Sequence, residues 1–356
     1  MPTKTNEAIQ GQRRSWNLLH KLGEGDAGEI FLVESLTERQ PAILKRPRKG
    51  SFLSDVQRQA SQIRREGGIL RALARASFPT RHLNLSVPAL IDQNSSEFGL
   101  GDQTFIIIEQ AKGLDLKLLS QVIRFGAASL TEPPTDPVAI FLLKQWSQFT
   151  EFPAPLLVRI LLGVLDMLDT IHGTEFRDEQ LTQSGVIWND VKPGHLFWDP
   201  LEVRLTVIDW GNSQFLDSDG VTRDRQYTAQ EDYRQFIQEM GSFIADANPQ
   251  LHARLEWPED VPGSLLEQAI QPLREKLAGL HVQNIEHLQA LRRQEADLSN
   301  LSRLELEHIE QYETLQQQLS AFGETPDLTG ALNFMSKAAF QMASEYRLAD
   351  FQIVCE

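Results

Sequence analysis

Two aspartates with matching surroundings are the first residues of this chain whose type and spacing point to chemistry. Asp190 follows the apolar segment 186–188, and Asp209 follows the apolar segment 205–208, nineteen residues after Asp190. A carboxylate that comes directly after a strand can project into a cleft, where it binds a metal ion or accepts a proton. Either aspartate taken alone suits a turn or a helix cap equally well.

A lysine and a glutamate earlier in the chain form a second candidate pair. Lys45 ends the apolar segment 42–44, and Glu66 lies 21 residues later, where apolar residues recur at helical spacing. A lysine at a strand end is usually solvated, and a helix glutamate usually faces water. Gly67 and Gly68 are unusual in a helix, because each costs about 1 kcal/mol relative to alanine. They indicate a kink or a mobile helix.

A glycine-rich segment precedes both pairs. Gly23, Gly25 and Gly28 follow the pattern G-x-G-x-x-G, which alone is a weak signal because glycines in a hairpin turn often only supply a positive φ. A dinucleotide-binding site would need a helix directly after the glycines. An apolar strand that includes Ile30 follows instead. The glycines therefore lie in a β-hairpin, which suits a flap whose N–H groups cover nucleotide phosphates.

Order, spacing and strand context of these features together match the signature of protein kinases. Over residues 16–245 the chain resembles the protein-kinase superfamily, and in particular the bacterial Ser/Thr kinases, with an atypical catalytic loop W-N-D-x-K-x-x-H and metal-binding triplet D-W-G. The resemblance implies an α+β, two-lobed protein-kinase-like fold in residues 16–257. A small β-rich N-lobe would span 16–110 and a helical C-lobe 111–257.

The resemblance also implies a role for each residue of the two pairs in phosphoryl transfer from ATP. Asp190 would orient the acceptor hydroxyl and take its proton, and Lys192 would stabilise the charge of the γ-phosphoryl group. Asp209 would chelate Mg²⁺ across the phosphates. Lys45, held by Glu66, would position ATP.

Nucleotide binding is assigned to the glycine-rich flap and to the segment 104–116, which is similar to the kinase hinge. The backbone of the hinge would meet the adenine, and an aspartate at its end would lie near the ribose. The residues implied are Gly23, Gly25, Gly28, Ile30, Glu109, Ala111 and Asp115.

His195 departs from the family pattern, because kinases usually carry a second metal-binding asparagine at this position. A neutral imidazole can bind a divalent metal, although Mg²⁺ prefers oxygen and Mn²⁺ tolerates nitrogen better. His195 is thus either a metal ligand, together with Asp209, or a hydrogen-bonding neighbour of the site. We expect ATP and Mg²⁺ as cofactors, with Mn²⁺ as the alternative metal.

Further departures concern regulation and substrate. Trp188 and Asn189 replace the usual His-Arg, which predicts no activation by loop phosphorylation. Only 20 residues separate Gly211 from Asp232, which resembles the aspartate that begins a central helix of kinases. The peptide-docking segment is therefore short, and the acceptor is either a protein Ser/Thr or another hydroxyl compound. A pseudokinase that acts as a nucleotide-binding or structural interaction module is the alternative to an active enzyme.

Composition narrows the class of protein. The net charge of −15 argues against nucleic-acid and membrane binding, although residues 1–100 carry 15 Lys/Arg against 10 Asp/Glu. That basic excess suits a segment that binds polyanionic ATP. No apolar stretch approaches the roughly 18 residues of a membrane span. The single cysteine, Cys355, excludes an internal disulfide framework and predicts a reducing cytoplasm.

The last hundred residues have a different pattern. Between residues 265 and 319, apolar residues recur every three or four positions among Gln, Glu and Arg, and the heptad slips twice. We expect residues 258–356 to form a helical, coiled-coil-like region with a last helix over 329–347. Residues 263–320 either bind a protein partner or a second copy of the chain, or pack on the kinase-like domain as a replacement C-lobe.

Overall fold

The computed structural model describes most of the chain up to residue 323. The described residues are 8–25, 28–49, 52–76, 78, 82–94, 103–126, 143, 146–147, 149–178, 181–200, 202–217, 220–222, 226–259, 261–299 and 306–323. The predicted helix over 329–347 and Cys355 lie outside them.

The N-lobe is a six-stranded antiparallel sheet. Its strands are β1 (Ala8–Gln10), β2 (Ser15–Gly25), β3 (Gly28–Ser35), β4 (Pro41–Arg46), β6 (Leu90–Asn94) and β7 (Phe105–Glu109), in the spatial order β1-β2-β3-β4-β7-β6. One face carries a small apolar core that includes Trp16 and Ile107. Helix α1 (Leu53–Leu73) covers the other face, where Ile63 packs with Ile106 in the main core. The apolar run of β7 is buried on both faces, as a continuous apolar strand predicts.

Short strands of the C-lobe carry the loops of the site. A four-stranded sheet has the order β5-β13-β12-β8, and β11 pairs with β14. Strands β9 and β10 form a separate hairpin between the helix that ends at Gly173 and strand β11. The bounds are β5 (Asn84–Ser86), β8 (Leu114–Asp115), β9 (Phe176–Asp178), β10 (Leu181–Gln183), β11 (Gly185–Ile187), β12 (Leu196–Asp199), β13 (Arg204–Val207) and β14 (Gln214–Leu216).

Helices surround these strands. They are α2 (Leu116–Phe125), α3 (Ala154–Gly173), α4 (Gln230–Gln235), α5 (Gly241–Ala247) and α6 (Pro249–Leu255), with a π-helical turn, Phe236–Met240, between α4 and α5. The strongly apolar sequence of α3 predicts a buried helix, and this prediction is confirmed: its apolar residues lie in the main core. Within the described residues, no helix combines the length and apolar character that crossing a bilayer requires.

Two helices follow the C-lobe strands and α6. In α7 (Leu266–Ser299), the first half packs on α3 and contributes Leu266, Leu273 and Leu277 to the main core. The second half packs against α8 (Leu306–Ala321) in a satellite cluster that includes Leu288 and Leu315. The predicted helical character is confirmed for these two segments. The domain boundary near 257, a coiled coil and self-association stay predictions.

Candidate active site

A buried ion-pair cluster joins the two lobes. Lys45 lies in β4, with its Nζ 2.6 Å from Glu66 Oε1 on α1 and 3.2 Å from Asp209 Oδ1 just after β13. Burial by itself would lower the pKa of Lys45, but the two carboxylates outweigh it and raise that pKa. Lys45 is therefore a permanent ammonium group between two carboxylates, one from each lobe.

Close packing of α1 against the sheet places Glu66. A Cβ at Gly67 would lie 3.2 Å from the side chain of Ile106, whereas a Cβ at Gly68 would meet nothing within 4 Å. Gly67 thus permits the close approach of α1 to β7. This close approach gives a physical reason for one of the two helix glycines, and the helix continues through both without a break.

A second cluster lies beside the first, on the C-lobe. Asp190, His195 and Asp209 each offer one ligand atom, and these atoms lie within 4.8 Å of one another. His195 ends the short 3₁₀ turn Pro193–His195, which directly precedes β12. The Nε2 atom of His195 lies 3.3 Å from Asp209 Oδ2. Burial opposes ionisation of Asp209, but the neighbouring basic groups, Lys45 first among them, outweigh it and lower the pKa of the carboxyl.

The hydrogen bonds of His195 determine its tautomer. Its Nδ1 lies 3.1 Å from the carbonyl oxygen of Asp190, which can only accept, so Nδ1 carries the proton. Burial lowers the pKa of the imidazole, against the opposing effect of Asp209 and Asp190, and favours the neutral ring. In that ring the lone pair of Nε2 faces a carboxylate oxygen. Two acceptors at 3.3 Å repel each other unless a proton or a metal cation lies between them.

A buried carboxylate holds the catalytic loop in an uncommon conformation. Asn189 has φ 56° and Asp209 has φ 62°, both in the left-handed region that non-glycine residues seldom adopt. Asp232 on α4 accepts hydrogen bonds from the backbone N–H groups of Trp188 at 2.8 Å and Asn189 at 2.6 Å. Its Oδ2 also lies 2.8 Å from His172 Nε2. These bonds position the carboxylate of the following residue, Asp190.

Two polar side chains contact the carboxylate of Asp190. Lys192 Nζ lies 3.0 Å from Oδ1, and Asn212 Nδ2 donates to Oδ2 at 3.3 Å. Asn212 is not among the site residues that the sequence predicted. Its position directly after the D-W-G triplet was the available signal, but the contact with Asp190 arises only when the two loops meet.

The described part of the glycine-rich flap is formed by the paired ends of β2 and β3. In this hairpin Gly23 pairs with Ile30, and Gly25 pairs with Gly28. A Cβ at Gly28, which has φ 125°, would lie 2.1 Å from the carbonyl oxygen of Arg46, so only glycine fits. Side chains added at Gly23 or Gly25 would meet open space. The predicted β-hairpin context of these glycines is confirmed, whereas their contact with a nucleotide stays a prediction.

The predicted hinge follows β7. Glu109 is the last residue of β7, and its N–H donates to Ala89 O. Ala111 lies two residues further on, outside the strand. Asp115 caps α2 by accepting a hydrogen bond from Leu118 N at 2.9 Å. Burial raises the pKa of Asp115 against the effect of that cap. Capping is therefore one role of Asp115, and ribose binding stays a prediction.

Comparison with protein families gives this site its context. The model of the phosphotransferase enzyme family (APH) matches residues 22–217, more than half of the 356-residue chain. The chain belongs to this family. Lys45, Glu66, Asp190 and Asp209 lie within the matched range, and the match confirms the resemblance to the protein-kinase superfamily and the two-lobed α+β fold. Phosphotransferases of this family typically use ATP and a divalent metal. A comparison with curated proteins finds no match.

Proposed function

We propose that this phosphotransferase transfers the γ-phosphoryl group of ATP to a hydroxyl group of its acceptor. The observation that carries the proposal is the cluster around Asp209, which lies within reach of Lys45 and of His195. Phosphoryl transfer needs cations and metal-binding carboxylates at one place, because negative charge is spread over the phosphoryl oxygens in the transition state.

A divalent metal ion fits between His195 and Asp209. The Nε2 lone pair and Asp209 Oδ2 face each other, and the Nδ1–H bond to the Asp190 carbonyl orients the ring as in many metal-bound histidines. When bound, such an ion neutralises phosphate charge and orients the γ-phosphoryl group. We propose Asp209 and His195 as its ligands, with Mg²⁺ as the metal and Mn²⁺ as the alternative that the nitrogen donor accommodates better.

The remaining residues bind ATP and prepare the acceptor. Lys45 would contact the α- and β-phosphates, and these contacts would replace its ion pair with Asp209 in part. Glu66 would keep Lys45 in position. Asp190 would accept the hydroxyl proton, since Lys192 and Asn212 hold its carboxylate at the edge of the cleft.

The nucleotide itself would lie between the flap and the hinge. We propose that the backbone of Gly23, Gly25 and Gly28 covers the phosphates, that Ile30 packs on the base, and that the backbone of the hinge binds the adenine edge through Glu109 and Ala111. Asp115 lies at the far end of the hinge and would meet the ribose with the oxygen that does not cap α2.

The segment after the metal-binding triplet bears on the acceptor class. Strand β14 pairs with β11, Leu216 pairs with Thr222, and Val221 pairs with Thr228. In the described part of 212–231, the backbone is thus already engaged in a two-stranded pair with β11 and in two short bridges, and the segment is short, so it offers little backbone to an extended peptide. A small hydroxyl compound is therefore favoured over a protein Ser/Thr acceptor.

Turnover of ATP tests the proposal directly. The purified protein would be incubated with ATP and either Mg²⁺ or Mn²⁺, and ADP formation would be followed for the wild type, Asp190→Ala and Asp209→Ala. Asp246→Asn is the matched control, because Asp246 is an exposed aspartate paired with Arg124 on the surface. We expect both site variants to lose turnover and the control to keep it. Equal turnover in all four proteins would refute the proposal.

The second candidate function is a nucleotide-binding module without transfer activity, which the replacement of the usual asparagine by His195 favours. Thermal unfolding with ATP and metal distinguishes it from an enzyme. Stabilisation of the wild type, absent in Asp209→Ala and unaccompanied by ADP formation with any hydroxyl compound tried, would support the binding module.

A further inference from the structure

The site is complete only when α1 lies against the C-lobe. Glu66 belongs to α1, whereas Asp209 and Gly211 belong to the loop after β13. Because Lys45 contacts both carboxylates, any movement of α1 away from that loop separates Glu66 from the cluster. Asn189 stands in the catalytic loop where the resemblance expects an arginine that binds a phosphorylated loop. Direct contacts between α1 and that loop are therefore the ones that can hold the site together.

Arg65, the neighbour of Glu66 on α1, makes such a contact. Its Nη2 donates a hydrogen bond to the carbonyl oxygen of Gly211 at 3.2 Å. Gly211 ends the metal-binding triplet, two residues after Asp209, so one bond ties the helix that carries Glu66 to the segment that carries the metal-binding aspartate. The acceptor is a backbone carbonyl, which no change of pH or phosphorylation alters.

The C-lobe offers α1 a wider surface around this bond. Strand β14 and strand β9, which forms a hairpin with β10, both pack against α1. Phe176 of β9 contacts Phe215 of β14 edge to face, with ring centroids 6.3 Å apart, and joins the two strands into one support. Packing already brings α1 into contact with β9 and β14. The hydrogen bond from Arg65 adds a directional contact that restricts the orientation of α1.

We propose that Arg65 is a positioning residue that holds α1 in the orientation in which Glu66 reaches Lys45, so that the site assembles without loop phosphorylation. The proposal rests on the proposed function for its catalytic consequence, whereas the position of α1 can be measured without catalysis. Arg65 itself contacts no reacting group in this assignment.

Hydrogen exchange of the full chain tests the proposal, and Arg64 provides a matched control. Arg64 precedes Arg65 on α1, but its Nη2 donates to Thr104 Oγ1 at 3.0 Å, which lies in the N-lobe. Arg65→Ala and Arg64→Ala remove the same charge from adjacent positions, but only the first removes a bond between the lobes. Arg65→Lys keeps the charge and one donor.

We expect amide exchange in α1 to be about tenfold faster in Arg65→Ala than in Arg64→Ala, with ATP affinity about tenfold weaker, from the loss of one charge-assisted bond. Arg65→Lys should recover part of both. Equal exchange and equal affinity in the two alanine variants would overturn the proposal. If the wild type shows no turnover, the proposed function fails, but the exchange and affinity measurements still decide the role of Arg65.

Discussion

The proposed phosphate side of the site, formed by Lys45, Glu66 and Asp209, collects residues from both lobes, whereas the proposed acceptor side, formed by Asp190, Lys192 and Asn212, comes from two loops of the C-lobe, one after β11 and one after β13. Lys45 and Glu66 are buried, and one cation there faces two carboxylates. Asp190 is half-buried, and Lys192 and Asn212 reach it from the exposed edge.

This difference has an energetic consequence. A buried charge that loses its partner costs far more than an exposed one, because water cannot replace the missing interaction. Changes on the phosphate side should therefore affect stability, nucleotide binding and turnover together. Changes on the acceptor side should affect turnover alone. The following predictions test that separation.

The largest effect is expected for the two aspartates. Asp209→Asn should lower turnover at least about a thousandfold and abolish metal-dependent ATP binding, because it removes a proposed metal ligand and a partner of Lys45. Asp190→Asn should lower turnover by about 10²–10⁴-fold with ATP affinity unchanged. Calorimetric titration with ATP and metal measures the affinity. A similar loss of affinity in both variants would contradict the separation.

Loss of Lys45 should destabilise the fold. Lys45→Met leaves Glu66 buried beside Asp209 without a cation, and we expect the free energy of unfolding to fall by about 3 kcal/mol. The double variant Lys45→Met/Glu66→Gln should recover most of the stability but no ATP binding. Urea unfolding measures both proteins. If Lys45→Met is as stable as the double variant, the unpaired charge of Glu66 is not the cause of the lost stability.

Replacement of His195 should change the metal preference. In His195→Asn an amide oxygen replaces the imidazole nitrogen, and we expect the preference for Mn²⁺ over Mg²⁺ to fall by about tenfold. Electron paramagnetic resonance gives a direct measurement, since bound Mn²⁺ should show coupling to a nitrogen nucleus in the wild type and not in the variant. Identical spectra would mean that His195 is only a neighbour of the metal site.

A smaller effect is expected for Asn212 on the acceptor side. Asn212→Ala removes one hydrogen bond to Asp190 and should lower kcat by about fivefold, with the KM for ATP unchanged. Asn212→Asp would place a second carboxylate beside Asp190 and should lower kcat further. Steady-state kinetics at varied ATP separates the two parameters. A raised KM for ATP would place Asn212 on the phosphate side instead.

The smallest effect on turnover is expected for a residue outside both sides, on α7. His281 is buried against His82, with Arg159 and Asp166 nearby, and burial lowers the pKa of His281 to about 4. Between pH 6.5 and 4 the unfolded chain binds a proton that the folded chain does not, so stability falls as pH falls. Urea unfolding should show a weaker pH dependence for His281→Phe. An unchanged dependence would assign the acid sensitivity to other groups.

Much of the fold was predictable because local patterns determine local elements. The apolar run of β7, the amphipathic α1 and the apolar α3 each appear where periodicity and composition predict them. Motif order and spacing also predicted which residues meet in the cleft. The contacts of Arg65 and Asn212 escaped prediction, since an arginine on a helix and an asparagine in a loop have no pattern that names a distant partner.

By itself, the sequence determined the superfamily, the order of the elements and the types of residue that enter the site, because these depend on neighbours along the chain. Only the tertiary structure decided which carboxylates share Lys45, 164 residues from Asp209, and which nitrogen of His195 carries the proton. It also decided that the first half of α7 packs into the main core. These outcomes depend on how the lobes and helices pack, and packing is a property of the whole chain.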